Sequence, residues 1–337
     1  MDEQTLKATA QAMVASGKGI LAIDESHGTC KKRFDIIGVE CNEETRRAYR
    51  GLLVTADTEV AISGYIMFDE TLRQATDDGT QFSEVLKAKG VIPGIKVDTG
   101  AHELALHPGE KVTEGLDGLR GRLAEYKALG AGFAKWRSVI TIGDGMPSDA
   151  CIYANCHGLA RYAALCQEAG IVPMVEPEII LEGDHTIEKC YEISARTWKV
   201  LFEQLREQGV MLEGTILKTS MVLPGKGAAT QASVDEVADM TIKCLTENVP
   251  AELAGVVFLS GGQNEADSTV HLDAMNKKYK DLPWPLSFSY GRALQAPALA
   301  AWGENQADIA GAQAKLVHRC KMNGLASKGE WSQELEG

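Results

Sequence analysis

The chain has eight cysteines in 337 residues but no CxxC pair. That argues against a structural zinc site, which takes paired ligands at short spacing. Cys30, Cys41, Cys151, Cys156, Cys166, Cys190, Cys244 and Cys320 are scattered, several on apolar helix faces. They read as reduced core thiols, since a secreted disulfide framework belongs in a much smaller chain. No apolar run approaches membrane-spanning length, and the opening MDEQTLKATAQ is polar and acidic, unlike a signal or transit peptide. The expected location is the cytoplasm. Positive charge is also scarce: 34 Lys and Arg against 47 Asp and Glu give a net charge of −13. This weighs against nucleic acid or an anionic membrane surface as a partner. An anionic ligand has to find a local cationic pocket.

Several ligand motifs are missing too. Gly17-Lys18-Gly19 and Gly225-Lys226-Gly227 lack the GxxxxGK[ST] spacing of a phosphate loop and read as turns, and no GxGxxG follows a strand. His102 and His107 stand five apart beside Glu103, which is not HExxH. No metal site is expected.

What is present is a regular alternation of apolar strands and amphipathic helices. With 45% apolar and 24% charged residues, the chain can bury a sizeable core. A first helix over Thr5 to Ala15 precedes the strand ILAID, which ends on Asp24. Further strands read at 61–68, 91–98, 132–140, 171–180, 212–221, 255–262 and 284–291. The helices between them carry clear signals. Ile152, Cys156, Leu159, Ala163 and Cys166 recur at helical spacing, Ser233 with Glu236 forms a capping box, and Asp184 is placed to cap a helix whose face includes Ile187, Trp198 and Leu205. Markers near the strand ends (Asp24, Phe68, Lys96, Lys135, Glu176, Lys218, Ser260, Ser289) lie 28 to 44 residues apart. This is the rhythm of a (β/α)8 TIM barrel, with a doubly wound open sheet as the rival. Residues 1–337 read as one barrel domain with a short C-terminal tail from about residue 322.

In such a barrel, catalytic groups come from the carboxyl ends of the strands. Here those ends are unusually polar: Asp24, Lys96, Lys135 with Arg137, Glu176 with Glu178, Lys218, Ser260 and Arg292. Side chains two apart on a strand share a face, so Lys135 joins Arg137 and Glu176 joins Glu178. A salt-bridge network plugging the mouth would use some of these charges. Cations and carboxylates on most strands at once favour a site. The five cations outnumber the three carboxylates and imply an anionic ligand. Lys218 lies in LEGTILKTSM, where Ile216, Leu217 and Met221 are expected to surround it with apolar bulk. Burial disfavours an ammonium relative to the neutral, nucleophilic amine, which suggests Schiff-base chemistry. Ser260-Gly261-Gly262 and Ser289-Tyr290-Gly291-Arg292 fall where barrels build phosphate sites from backbone amides. Lys96 and Arg137 form a second cationic cluster, so a ligand phosphorylated at both ends is conceivable.

At these residues the chain resembles the class I, Schiff-base fructose-bisphosphate aldolases over roughly Gly17 to Lys321. The resemblance rests on KGILAIDES, GIKVD, FAKWR, IVPMVEPEI, LEGTILK, FLSGGQ and SFSYGRALQ. It implies a barrel that reversibly cleaves fructose 1,6-bisphosphate to dihydroxyacetone phosphate and glyceraldehyde 3-phosphate in glycolysis and gluconeogenesis. It also implies a homotetramer and no cofactor. Lys218 would form the imine, Lys135 and Glu176 would assist dehydration and proton transfer, and Glu178 would support them. Asp24 would orient substrate hydroxyls. Ser260, Gly261, Gly291 and Arg292 would hold the C1 phosphate, and Lys96 and Arg137 would face the other, with Ser26, Thr29 and Arg33 nearby. Two features depart from the family pattern. Thr219-Ser220 follows the lysine where many relatives have Pro-Asn. The chain also ends in WSQELEG, without the terminal tyrosine that moves a proton at C3 in many relatives, and its last tyrosine is Tyr290. The alternatives are another lysine-dependent barrel lyase or transferase acting on a sugar phosphate, and a catalytically idle phosphate-binding relative.

Overall fold

The computed structural model describes residues 2–336. Ten strands are found: β1 (Gly19–Ile23), β2 (Ile62–Met67), β3 (Ile92–Lys96), β4 (Gly100–Glu103), β5 (Lys111–Glu114), β6 (Phe133–Ile140), β7 (Val172–Ile179), β8 (Ile216–Thr219), β9 (Gly255–Phe258) and β10 (Leu286–Tyr290). Eight close into a barrel in the order β1-β2-β3-β6-β7-β8-β9-β10, every neighbouring pair parallel. The open-sheet rival is thereby excluded. The extra pair, β4 and β5, forms an antiparallel hairpin after β3. Its short polar strands gave no alternating apolar signal, and it went unseen in the sequence.

Side chains alternate between the barrel lumen and the helix layer. Ile20, Ile66, Phe133, Met174, Ile216 and Val257 fill the lumen and pack with Leu6, Ala10 and Met13 of the N-terminal helix Glu3–Met13 and with Val14 just after it. Backbone approach makes room for this filling. A Cβ on Gly94 would lie 2.2 Å from the Phe133 ring, and one on Gly64 would lie 2.9 Å from it. Because the N-terminal helix plugs the bottom, the lumen opens only at the carboxyl ends of the strands.

The helix layer follows the expected faces, with Ile152, Cys156, Leu159, Ala163 and Cys166 all buried in the helix Asp149–Glu168. One cap differs. The helix expected to be capped by Asp184 starts at Ile187, and Thr186 accepts the N–H of Lys189. Both residue types can cap; Thr186 is the one positioned directly before the first helical residue. At the other end, the helix Ile309–Ala326 runs past residue 322. The acidic tail folds back onto the outer helices. Trp331 is buried, its backbone N–H donates to Asp273 Oδ1 at 2.9 Å, and Glu336 accepts from Arg319 Nη1 at 2.6 Å. No helix is long and apolar enough to cross a membrane among the described residues.

Candidate active site

A cavity of about 770 Å³ occupies the open end of the barrel, within the usual range for small-molecule sites. Asp24, Ser26, Thr29, Arg33, Lys96, Lys135, Arg137, Glu176, Glu178, Lys218, Ser260, Gly261 and Gly291 all line it. Of the residues expected at the site, Arg292 alone does not. It opens the helix Arg292–Glu304 with an exposed side chain, and its Nη2 lies 3.7 Å from the position a Cβ on Gly262 would take. As the residue after Gly291 it belongs to the rim and not to the inward row.

The environment of Lys218 corrects the expectation of apolar bulk. Leu217 and Met221 face the helix-layer core, so only Ile216 shares the lumen with Lys218. The nearest polar neighbour is a carboxylate: Lys218 Nζ lies 3.1 Å from Glu176 Oε1. Glu176 Oε2 is buried 3.4 Å from Lys135 Nζ, so the carboxylate is shared between the two ammonium groups. Lys135 pairs with Asp24 at 2.7 Å. These four buried or nearly buried groups form two ammonium–carboxylate pairs, an arrangement that leaves no isolated charge in a low-dielectric site.

Burial alone would raise the pKa of Asp24, but Lys135, Lys218 and Lys96 outweigh it and hold the carboxyl at about 2. Burial likewise opposes the charge on Lys135, and Asp24, Glu176 and Asp98 overcome it, keeping its ammonium well above the ordinary lysine range. Arg137 is partly exposed; the desolvation it does suffer opposes its charge, and Glu178 overcomes this through a hydrogen bond at 2.5 Å.

Two residues inside the quoted motifs were passed over as candidates. Asp98 accepts from Lys96 Nζ at 2.7 Å and from the Arg137 N–H at 3.1 Å, so it fixes both members of one cationic cluster. Glu25 pairs with Arg33 and, at 2.8 Å, with buried Arg50. Both follow a strand end directly, a position that would have flagged them. Ser289, near the end of β10, also lines the cavity, and its hydroxyl is buried without a protein partner. Tyr290, by contrast, points outward and donates to the Ser268 carbonyl at 2.9 Å. The Thr219-Ser220 departure also has a physical account. Ser220 Oγ donates to the Ile179 carbonyl at 2.9 Å and accepts the Ile179 N–H at 3.1 Å, prolonging the contact between β7 and β8 just beyond Lys218.

The ring order places the two anion-binding groups opposite each other. Lys96 on β3 is four strands from the turn after β9 that carries Ser260 and Gly261, and Arg137 on β6 is four strands from Gly291 after β10. Lys218 and Glu176 stand between them on β8 and β7. The cavity can therefore hold an elongated ligand with an anion at each end and its middle at the lysine.

Comparison with known proteins shows the family of the chain. The family model for class-I fructose-bisphosphate aldolase matches residues 5–337. A "probable fructose-bisphosphate aldolase class 1" of Xylella fastidiosa is 59% identical over 98% of this chain and 99% of its own length. Fructose-bisphosphate aldolase C-B of Danio rerio is 47% identical over 98% and 91%. A solved fructose-bisphosphate aldolase from Plasmodium falciparum, in complex with TRAP and a small-molecule inhibitor, superposes with a TM-score of 0.96. It is 44% identical and covers 98% of this chain and 95% of its own.

Proposed function

The chain belongs to the class-I fructose-bisphosphate aldolase family, and from that premise we propose how its own residues divide the family's work. The reaction is the reversible cleavage of fructose 1,6-bisphosphate to dihydroxyacetone phosphate and glyceraldehyde 3-phosphate through a lysine Schiff base. Lys218 is the nucleophile. Its neutral amine adds to C2 of the ketose, and the carbinolamine loses water to give an iminium. Glu176 carries the protons: its Oε1 lies 3.1 Å from the lysine nitrogen, within reach of the bond-forming centre.

The iminium draws electrons from C2. A carboxylate takes the C4 hydroxyl proton, the C3–C4 bond breaks, the aldehyde leaves, and an enamine remains on Lys218. Asp24, held at about 2, is a weak base at neutral pH; it orients hydroxyls while Glu176 moves the proton. Lys135 stays charged and stabilises negative charge developing on oxygen. Glu178 holds Arg137 in place. Ser260, Gly261, Gly291 and Arg292 take the C1 phosphate. Lys96 and Arg137 take the other, with Ser26, Thr29 and Arg33 beside them.

The observation that carries this reading is the 3.1 Å approach of Lys218 to Glu176 between two opposed anion sites. Triose phosphate release from fructose 1,6-bisphosphate, measured for the parent and for Lys218→Ala, is the test. Cleavage by the parent and none by the variant is expected, and an active variant would remove Lys218 from its role. Family membership also supports a cytoplasmic homotetramer, for which sedimentation analysis should give a four-chain mass.

A further inference from the structure

The Gly225-Lys226-Gly227 segment, which reads as a plain turn in the sequence, has a more specific position in the fold. Three backbone bonds fix it to the loop after β7. Gly225 N–H donates to the His185 carbonyl at 2.8 Å, Lys226 N–H to Leu181 at 2.9 Å and Gly227 N–H to Gly183 at 2.8 Å. The Gln231 side chain adds a bond to the Gly225 carbonyl at 3.0 Å, so the turn is held without the Lys226 side chain. Lys226 extends from it to the Ser260–Gln263 turn, where Gly261 and Gly262 have φ of +53° and +93° and Gln263 N–H donates to the Ser260 carbonyl at 2.8 Å. The Lys226 Nζ lies 2.5 Å from the position of a Cβ on Gly262, whose positive φ favours glycine and leaves room for the ammonium there.

Arg292 Nη2 approaches the same point at 3.7 Å. Two cations therefore converge beside the turn whose Ser260 and Gly261 line the cavity. A single carboxylate partly offsets them: Glu182 Oε1 accepts from Lys226 Nζ at 3.0 Å. The Lys226 hydrogen bond, ahead of the weaker field of Arg292, holds the Glu182 carboxyl below its ordinary range. Like charges this close are unfavourable unless an anion joins them, and a phosphate dianion would satisfy both.

We propose that Lys226 is a further phosphate-recognition residue of the C1 site, and that Glu182 is the counter-ion it leaves when phosphate binds. This rests on the assignment of Ser260, Gly261, Gly291 and Arg292 to that site. The pair is half-exposed, so it contributes little as a staple for the loop. The two roles also predict different mutant behaviour. A staple is lost equally when either partner is removed. A phosphate ligand and its competitor have effects of opposite sign.

The experiment measures the concentration of dihydroxyacetone phosphate that half-saturates borohydride-trapped adduct on the full chain, with unphosphorylated dihydroxyacetone as the control. Lys226→Gln should raise it roughly five- to tenfold, Lys226→Arg should restore most of the loss, and Glu182→Gln should lower it, with the control ligand unaffected by any of the three. The proposal is overturned if Lys226→Gln has no effect, if Glu182→Gln weakens binding as Lys226→Gln does, or if the control ligand is affected equally. Arg292→Ala separates the two levels of the argument. If it weakens binding while Lys226→Gln does not, only the role of Lys226 falls; if neither does, the assignment of the C1 site falls with it.

Discussion

Lys135 Nζ sits 2.7 Å from Asp24 Oδ2, joining β6 to the end of β1 across the mouth of the barrel. Each group would be costly to bury alone, and removing one leaves the other as an uncompensated charge. The pair therefore couples the stability of the fold to the ionisation of the site.

The pH dependence follows from the depressed pKa of Asp24, about 2 in the folded chain against an ordinary 3.8. A carboxyl lowered by folding stabilises the protein fully above its unfolded value, and that contribution is lost as pH falls toward the folded one. Asp24→Asn should therefore be less stable than the parent at pH 6. The difference should narrow only below about pH 4. Urea unfolding of both proteins across that range checks this, and a gap constant down to pH 3 would show that Asp24 titrates like an exposed carboxyl.

Glu176→Gln keeps the shape of the side chain and removes its capacity to carry a proton. The turnover number should fall by about 10²- to 10³-fold, with a much smaller change in KM. Steady-state cleavage kinetics give both values. A turnover number within tenfold of the parent would move proton transfer to another group.

Trimming residues 330–337 separates the tail's structural role from any catalytic one. Among the described residues, none of 327–336 lines the cavity. Removal takes away buried Trp331 and leaves Arg319, only 7% exposed, without the Glu336 carboxylate. The cost should be about 3 kcal/mol or more, seen in denaturant unfolding. Turnover and C3 hydrogen exchange per folded molecule should stay near the parent's. A hundredfold slower exchange with imine formation intact would give the tail a catalytic role.

The sequence made the barrel and most of its site legible because strand ends are local signals. An apolar run that stops at a charge marks both an element and its functional end, as ILAID does at Asp24 and GIKVD at Lys96. Less legible was which neighbour each side chain meets. Leu217 and Ile216 are equally apolar, yet the pleat sends one to the helix layer and the other to the lumen beside Lys218. The partners of Asp98 and Glu25 were not legible for the same reason: Arg137 and Arg50 lie 39 and 25 residues away. The hairpin of β4 and β5 and the docking of Glu336 on Arg319 depend on tertiary contacts that no local pattern encodes.

The central claim is that Lys218 forms the imine. Its most direct test is borohydride reduction of the full chain with dihydroxyacetone phosphate, followed by peptide mass mapping. The account predicts one adduct per chain, on Lys218, absent in Lys218→Ala and formed more slowly in Glu176→Gln. An adduct on Lys135 with Lys218 unmodified, or no adduct while cleavage proceeds, would contradict it.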